Sequence, residues 1–213
     1  MKSKHSKDKK RNIIIIIFRI ISILVIIYCL IYIFNWYMEN KKSADMLSNV
    51  TNSSILDTIE IEIPNNENSE STEDDSKKII AYELDFDNLS SINSSTVGWI
   101  TVFGTSINYP VVKGSDNSFY LSHSFDKSYN KAGWIFADYR NKFDDTDKNI
   151  IIYGHNRMDS SMFATLKNTQ KQDWLNNPND HYLTFSTPSR NTSIWSFFCI
   201  YCKSWIILFN YIF

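Results

Sequence analysis

The 213-residue sequence contains only three cysteines, five glycines and four prolines. The cysteines are Cys29, Cys199 and Cys202. Their odd number, and the position of Cys29 inside an apolar stretch, argue against a disulfide framework. Cys199 and Cys202 form a C-x-x-C pair, but no second Cys or His pair stands at zinc spacing, so we predict no metal site. A thioredoxin-like redox pair would begin a helix after a strand, whereas this pair lies in an aromatic run.

An excess of basic charge is also missing, since 22 basic residues face 23 acidic ones and the formal net charge is −1. This balance gives no indication of a nucleic-acid partner. The heavy use of Ile, Asn, Lys, Tyr and Phe is typical of AT-rich coding sequences and suggests a low-GC bacterium. The length suits one domain with appendages.

The N-terminal region has the pattern of a membrane anchor. The apolar run from Ile13 to Phe34 is long enough to cross a bilayer as a helix, and Trp36 lies just past its end as an interfacial anchor. Basic residues precede the run: Lys2, Lys4, Lys7, Lys9, Lys10 and Arg11. The positive-inside rule therefore predicts a basic cytoplasmic tail at 1–12, a single transmembrane helix at 13–35 and an extracellular remainder, in the cell membrane.

The sequence after this span divides into three parts. Residues 36–78 are polar and include the stretch NNENSESTEDDSKK, which cannot bury enough surface to offset its chain entropy. We predict an extracellular stalk here, with a short helix as an alternative for SADMLSNVTNSSILDTI. A globular domain is expected at 79–193, and an apolar tail follows at 194–213.

The globular part reads as a mainly β fold with short helices. YELDFDNLSSIN predicts a helix with Phe86 and Leu89 inward, whereas VGWITVFG, INYPVV and HYLTFST alternate as strands do. NIIIYG has no polar interruption and predicts a central strand. Residues 160–177 show roughly helical spacing. Many short strands with few helices favour a β-barrel or sandwich over a doubly wound sheet.

His155 is the candidate catalytic residue, because the predicted strand NIIIY delivers it directly into a turn at Gly154. A lone histidine in a loop is more often without a role. The alternative is a catalytic imidazole held at the end of a rigid strand, where its geometry is best controlled. His123 and His181 are predicted to be surface or loop residues.

Several segments occur in one order: VGWITVFGTSINYPVV, DNSFYLSHSF, AGWIFADYRN, NIIIYGHN and MFATL. Together they resemble class B sortases, which are membrane-anchored cysteine transpeptidases of Gram-positive cell walls. The resemblance implies a sortase-type β-barrel, incomplete in this chain, and no cofactor. It also implies partners: surface proteins that bear a sorting-signal peptide, and a peptidoglycan or pilin amine acceptor.

The resemblance assigns His155 to the family's active-site histidine. In sortases a cysteine thiolate attacks the sorting signal to form an acyl-enzyme. The histidine protonates the leaving amine and then deprotonates the incoming one. An arginine stabilises the bound peptide or the oxyanion.

The resemblance ends near residue 190. The family's Thr-Leu-x-Thr-Cys nucleophile motif does not occur, and neither Arg140 nor Arg190 matches the family's arginine. Cys199 and Cys202 lie among aromatic residues, where burial would keep a thiol inert. The tail is open to three interpretations: a second membrane span, a buried strand pair or a frameshifted end, of which we favour the last. We therefore expect this chain to be inactive by itself, with a non-catalytic membrane-tethered remnant or peptide-binding protein as the alternative.

Overall fold

The structure is a computed structural model that describes residues 2–63, 77–144, 146–147, 149–177, 180–196 and 206–210. The chain divides into two compact units, Met1–Lys42 and Ser43–Phe213. Helix α1 (Lys2–Ser54) makes up the described part of the first unit. The large apolar side chains between Ile13 and Phe34 are exposed along it. Among the described residues, this is the one helix long and apolar enough to cross a membrane, and the predicted span lies within it.

The second unit contains two β-sheets and short helices. Strands β1 (Ile55–Ile63) and β2 (Lys77–Leu84) form an antiparallel pair. The described part of the larger sheet has seven strands in the order β8-β7-β3-β4-β5-β6-β9. Its strands are β3 (Thr96–Val102), β4 (Ile107–Lys113), β5 (Phe136–Ala137), β6 (Asn149–Tyr153), β7 (Tyr182–Thr187), β8 (Arg190–Ser196) and β9 (Ile206–Asn210). The short α-helices are α2 (Phe86–Ile92) and α3 (Gln172–Leu175).

The segment predicted to be a polar stalk differs from that prediction in its secondary structure. Helix α1 continues to Ser54, and β1 follows at once. The sequence of β1, ILDTIEIEI, alternates apolar and acidic residues with the period of a strand. Residues 64–76, which hold most of NNENSESTEDDSKK, lie outside the described residues.

The hairpin of β3 and β4 confirms the two strands predicted around Gly104. Gly104 lies in the turn at a φ of +70°, a left-handed conformation that glycine adopts at little cost. Strand β3 is also paired with β7, so it is flanked on both sides. Its Trp99 and Ile100 are at most 2% exposed. Burial of this strand on both faces explains its nearly continuous apolar sequence.

The strand predicted from NIIIYG is confirmed as β6, which is an interior strand of the described sheet and lies next to the edge strand β9. It pairs with β5 on one side and with β9 on the other, both antiparallel. Ile150 and Ile152 are buried, whereas Ile151 and Tyr153 on the opposite face are half-buried. The backbone of Ile206–Asn210 provides the pairing on the second side of β6.

That pairing also bears on the apolar tail. Residues 206–210 are a strand, and β8 pairs with β7 at the other end of the sheet. A second membrane span would need a helix through these residues, so this interpretation is wrong for the described part of the tail. In the described part of the tail, β8 and β9 are strands that pair with β7 and β6, which agrees with the strand interpretation of these residues.

The helices agree in part with their predictions. Helix α2 confirms the helix in YELDFDNLSSIN, with Leu89 fully buried and the side chain of Asp85 accepting from Asn88 N at 2.8 Å as its N-cap. Residues 160–177 instead hold a 3-10 helix, Ala164–Gln170, and the single turn of α3. In α3, Trp174 is buried and Leu175 is 50% exposed.

Candidate active site around His155

His155 lies in a loop that starts where β6 ends. The pairing of β6 with β5 and β9 fixes the backbone of Tyr153, and Gly154 and His155 follow directly. A Cβ atom on Gly154 would lie 2.6 Å from carbons of the Phe163 ring. Only glycine allows the ring of Phe163, which is fully buried, to pack against this backbone. The predicted position of His155 at the end of a buried strand is confirmed.

The His155 loop, residues 154–163, is closed by its own backbone. The N–H of Phe163 donates to the carbonyl of His155 at 3.0 Å, and Asn156 and Met162 form an antiparallel bridge. The N–H of Met162 donates to the hydroxyl of Tyr109 on β4 at 3.1 Å. The bond from Met162 to Tyr109 connects the loop to the sheet. The bond from Phe163 holds the carbonyl of His155 in place.

The imidazole of His155 is half-buried, and Arg157 lies two residues farther along the same loop. Burial, followed by the positive charge of Arg157, lowers the pKa of His155 below its usual value of 6.5. The guanidinium of Arg157 lies 3.3 Å from the Asp159 carboxylate. The ring is therefore neutral at pH 7, which is the form that accepts a proton.

A buried carboxylate, Asp138, lies beside the strand that presents His155. Asp138 follows β5, and its N–H donates to the carbonyl of Ile151 on β6 at 2.9 Å. Its side chain is fully buried and accepts from the hydroxyl of Tyr153 at 2.8 Å and from the amide of Asn117 at 2.9 Å. The guanidinium of Arg140 donates to both of its oxygens at 2.8 Å. The hydrogen bonds from Arg140, and then those from Tyr153 and Asn117, hold the pKa of Asp138 far below its usual range although burial opposes them.

Asp138 makes a turn that recurs elsewhere in the chain. Asp116, Asp126, Asp144 and Asp159 each accept a hydrogen bond from the backbone N–H and from the hydroxyl of a Ser or Thr two residues later. Asp138 accepts from the N–H two residues later in the same way, at 2.9 Å, but that residue is Arg140. Of these five carboxylates, Asp138 is the one whose described bonds also reach Tyr153 and Asn117.

The other histidines considered from the sequence make contacts with other residues, and the two C-terminal cysteines lie outside the described residues. A ring nitrogen of His123 contacts the carbonyl of Phe119 at 2.7 Å, and one of His181 contacts the carbonyl of Trp174 at 3.2 Å. Both lie between strands, as predicted. Cys199 and Cys202 lie outside the described residues, as does the side chain of Arg190. The described residues contain one cysteine, Cys29 in α1.

Sequence reasoning did not find Arg157 or the role of Asp138. Arg157 was passed over because the arginine of the family belongs to a downstream motif. The segment AGWIFADYRN was recognised as a family motif, but its Asp138 was not singled out. The repeated pattern of Asp followed two residues later by Ser or Thr was the signal that could have drawn attention to Asp138 as the exception.

Comparison with known proteins places this arrangement in a family, although no family model matches the chain. Sortase B of Listeria monocytogenes is 46% identical over 87 residues, which are 41% of this chain and 35% of that protein. Sortase B of Staphylococcus aureus is 42% identical over 89 residues, or 42% and 36% of the two chains. A solved Bacillus anthracis protein described as similar to sortase B superposes with a TM-score of 0.53 at 30% identity, over 75% of this chain and 64% of that one.

The chain belongs to the class B sortases. The solved sortase B from Bacillus anthracis in complex with AAEK1 is also similar to this chain, with a TM-score of 0.52 and 30% identity over 76% of this chain and 66% of that chain. Two predictions are thereby confirmed: the family, which is one of cysteine transpeptidases, and the mainly β sortase fold with short helices after an apolar N-terminal helix. The matched segments span about a third of the length of the curated sortase B relatives.

Proposed function

We propose that the protein to which this chain belongs is a membrane-anchored transpeptidase that cleaves a sorting-signal peptide and joins it to a cell-wall or pilin amine. The observation that carries the proposal is the placement of His155. It is half-buried and follows a strand that is paired on both sides, in a chain that is 30% identical in sequence to a solved protein described as similar to sortase B. Two solved relatives are described as a Staphylococcus aureus sortase B–substrate complex and a sortase B complexed with triglycine. These descriptions support a peptide substrate and an amine acceptor.

The proposed role of His155 is to move a proton between amines. The neutral imidazole takes the proton of the cysteine thiol. The resulting thiolate attacks the scissile carbonyl carbon, the C–N bond breaks, and the departing amine takes that proton from the imidazolium. The acceptor amine then attacks the thioester, the neutral imidazole takes its proton, and the thiolate leaves. The lowered pKa of His155, caused by burial and then by Arg157, favours both the release of the proton in the first step and the neutral ring that the second step needs.

The described residues supply the acid–base group of this reaction but not its thiol. Cys29 lies in the apolar part of α1, and the sequence has no Thr-Leu-x-Thr-Cys motif. We therefore propose that the chain as printed does not complete catalysis by itself. The proposed location is the outer face of the cell membrane, with α1 as the anchor and its basic end in the cytoplasm.

The test is a chimera in which residues 1–190 are followed by the part of Listeria monocytogenes sortase B that lies beyond the matched segment. Identity of 46% over the matched segment makes the two parts compatible. The expected result is transfer of a sorting-signal peptide to triglycine, detected by mass spectrometry, with loss of transfer in H155Q. The matched control is H181Q, because His181 precedes β7 and its ring contacts Trp174. A folded chimera that neither cleaves nor transfers the peptide contradicts the proposal and favours the non-catalytic, peptide-binding alternative.

A further inference from the structure

The carboxylate of Asp138 joins three separate segments of the chain. It stands at the end of β5, Tyr153 stands at the end of β6, and Asn117 belongs to the loop after β4. The carboxamide oxygen of Asn117 also accepts from the N–H of Tyr139 at 3.0 Å, so this loop is fastened on both sides of Asp138. The three segments converge on one buried side chain.

Both oxygens of the Asp138 carboxylate are fully used. Oδ1 accepts from the backbone N–H and the Nε of Arg140, whereas Oδ2 accepts from Arg140 Nη2, Tyr153 and Asn117. A buried carboxylate is costly unless it is paired and its lone pairs are satisfied. The exposed side chain of Arg140 provides that pairing from the solvent side. The charge therefore stays in the fold, where it can orient the groups that donate to it.

Tyr153 is the group whose orientation matters for His155. Its ring packs against Phe136 with the centroids 5.2 Å apart, and its hydroxyl donates to Asp138. Only Gly154 separates Tyr153 from His155 along the chain. Phe136 holds the ring of Tyr153 and Asp138 holds its hydroxyl. Together they fix the position from which the His155 loop begins.

We propose that Asp138 is a positioning residue for the His155 site: it anchors the hydroxyl of Tyr153 and the amide of Asn117, and it acts on His155 through Tyr153. The proposal rests on the proposed function of His155, but the anchoring itself is independent of catalysis. It assigns to Asp138 and Arg140 the task of holding the base of the loop, and it assigns them no contact with the reacting atoms.

The anchoring has a spectroscopic signature. Burial, followed by the hydrogen bond to Asp138 and its negative charge, raises the pKa of Tyr153 above its usual value of 10.0. D138N removes the charge and keeps the shape of the side chain. We expect it to lower the pKa of Tyr153, which a purely steric role of Asp138 would leave unchanged.

The experiment uses the full chain in detergent micelles, labelled with ¹³C in tyrosine and histidine. Y153F and H155Q assign the two signals by removing them. The variants D138N, Y153F and D138N/Y153F are compared with D126N, because Asp126 makes the same turn with Ser128 at the surface. The Tyr153 titration and the position and width of the His155 ring signal are measured in each folded variant.

The expected result has three parts. D138N lowers the pKa of Tyr153, D138N and Y153F each shift or broaden the His155 signal, and the double variant matches Y153F alone because Asp138 acts through Tyr153. D126N changes neither signal. An unchanged Tyr153 pKa in D138N, or shifts of His155 that simply add in the double variant, would overturn the proposal. If D138N does not fold, Y153F alone decides, since an unperturbed His155 signal in that variant contradicts the inference. None of these outcomes depends on transpeptidation, so a failure here is distinct from a failure of the chimera.

Discussion

The ring of Phe163 occupies the space that a side chain on Gly154 would need, because a Cβ atom there would lie 2.6 Å from two ring carbons. Phe163 also donates its N–H to the carbonyl of His155, at 3.0 Å. One buried aromatic residue therefore determines both the identity of the residue before His155 and the closure of the loop that follows it.

This contact predicts the effect of G154A. The added methyl group forces the Phe163 ring to move, and such overpacking costs about 1–3 kcal/mol of the free energy of unfolding. F163L makes room for the methyl group, so G154A/F163L should be less destabilised than the sum of the single variants. Urea denaturation, followed by the fluorescence of the buried Trp99 and Trp134, measures the coupling. Strictly additive losses would show that the two residues do not share this contact.

Arg157 is expected to lower the pKa of His155. Burial and then the charge of Arg157 lower the pKa of His155 in the folded chain, so R157Q should raise it. K167Q is the matched control, since it also removes one positive charge and Lys167 is exposed and lies outside the His155 loop. The measurement is a pH titration of the His155 ring by NMR in the full chain. A pKa that stays constant in R157Q, or rises equally in K167Q, would count against this role.

The same pKa shift predicts a dependence of stability on pH. A histidine with a lowered pKa binds its proton more readily in the unfolded chain, so protonation favours unfolding. The contribution of His155 to stability is therefore present above its unfolded pKa of about 6.5 and is lost as the pH falls through the folded value. The urea midpoint of unfolding is measured above and below that pH range. The difference between the two midpoints should be smaller in H155Q than in the wild-type chain. A wild-type midpoint that rises with acidification, and does so less in H155Q, would contradict the sign.

The anchor prediction concerns which side of the membrane carries the domain. With the basic residues of the N-terminus inside, protease added to intact protoplasts should remove the chain beyond Trp36. A cytoplasmic protein followed in the same samples shows that the protoplasts are closed. Full protection of the domain from the protease would place it in the cytoplasm and would contradict the proposed extracellular location.

The chain alone is expected to show no thiol-dependent reaction with a sorting signal. A sorting-signal vinyl sulfone should leave the mass of the purified full chain unchanged, because burial among aromatic residues would keep Cys199 and Cys202 inert. C29S serves as the background variant, since it removes the one cysteine of the described residues. Modification that disappears in C199A or C202A would show that one of them is a nucleophile.

Most strands of the larger sheet could be predicted, because their patterns are local. Strands β3, β4, β6 and β7 come from runs of β-branched and aromatic residues between turn signals. Strand β1 was not predicted, although Ile59, Ile61 and Ile63 alternate with glutamates. The polar composition of the neighbouring residues favoured a stalk there instead. Strand β9 was not predictable as a partner of β6, since its pairing joins residues that are distant in sequence.

The same distinction holds for the site. His155 was singled out from its position after a strand and before a turn, both of which are local signals, but its catalytic role was predicted only from the resemblance to class B sortases. The network of Asp138, Tyr153 and Asn117 depends on contacts between three segments. In the sequence, each of these residues has the pattern of an ordinary turn or strand residue. Their hydrogen-bond network is therefore visible only in the folded structure.

The central claim is that His155 is the acid–base group of a sortase reaction, and the most direct measurement is chemical rescue in the chimera. H155A should lower the rate of peptide transfer to triglycine by about 10²–10⁴-fold. Imidazole added to H155A should restore part of that rate, in proportion to its concentration, while H181A keeps the full rate without it. Transfer by H155A at the wild-type rate, or a loss that imidazole leaves untouched in a folded variant with its thiol still reactive, would contradict the account.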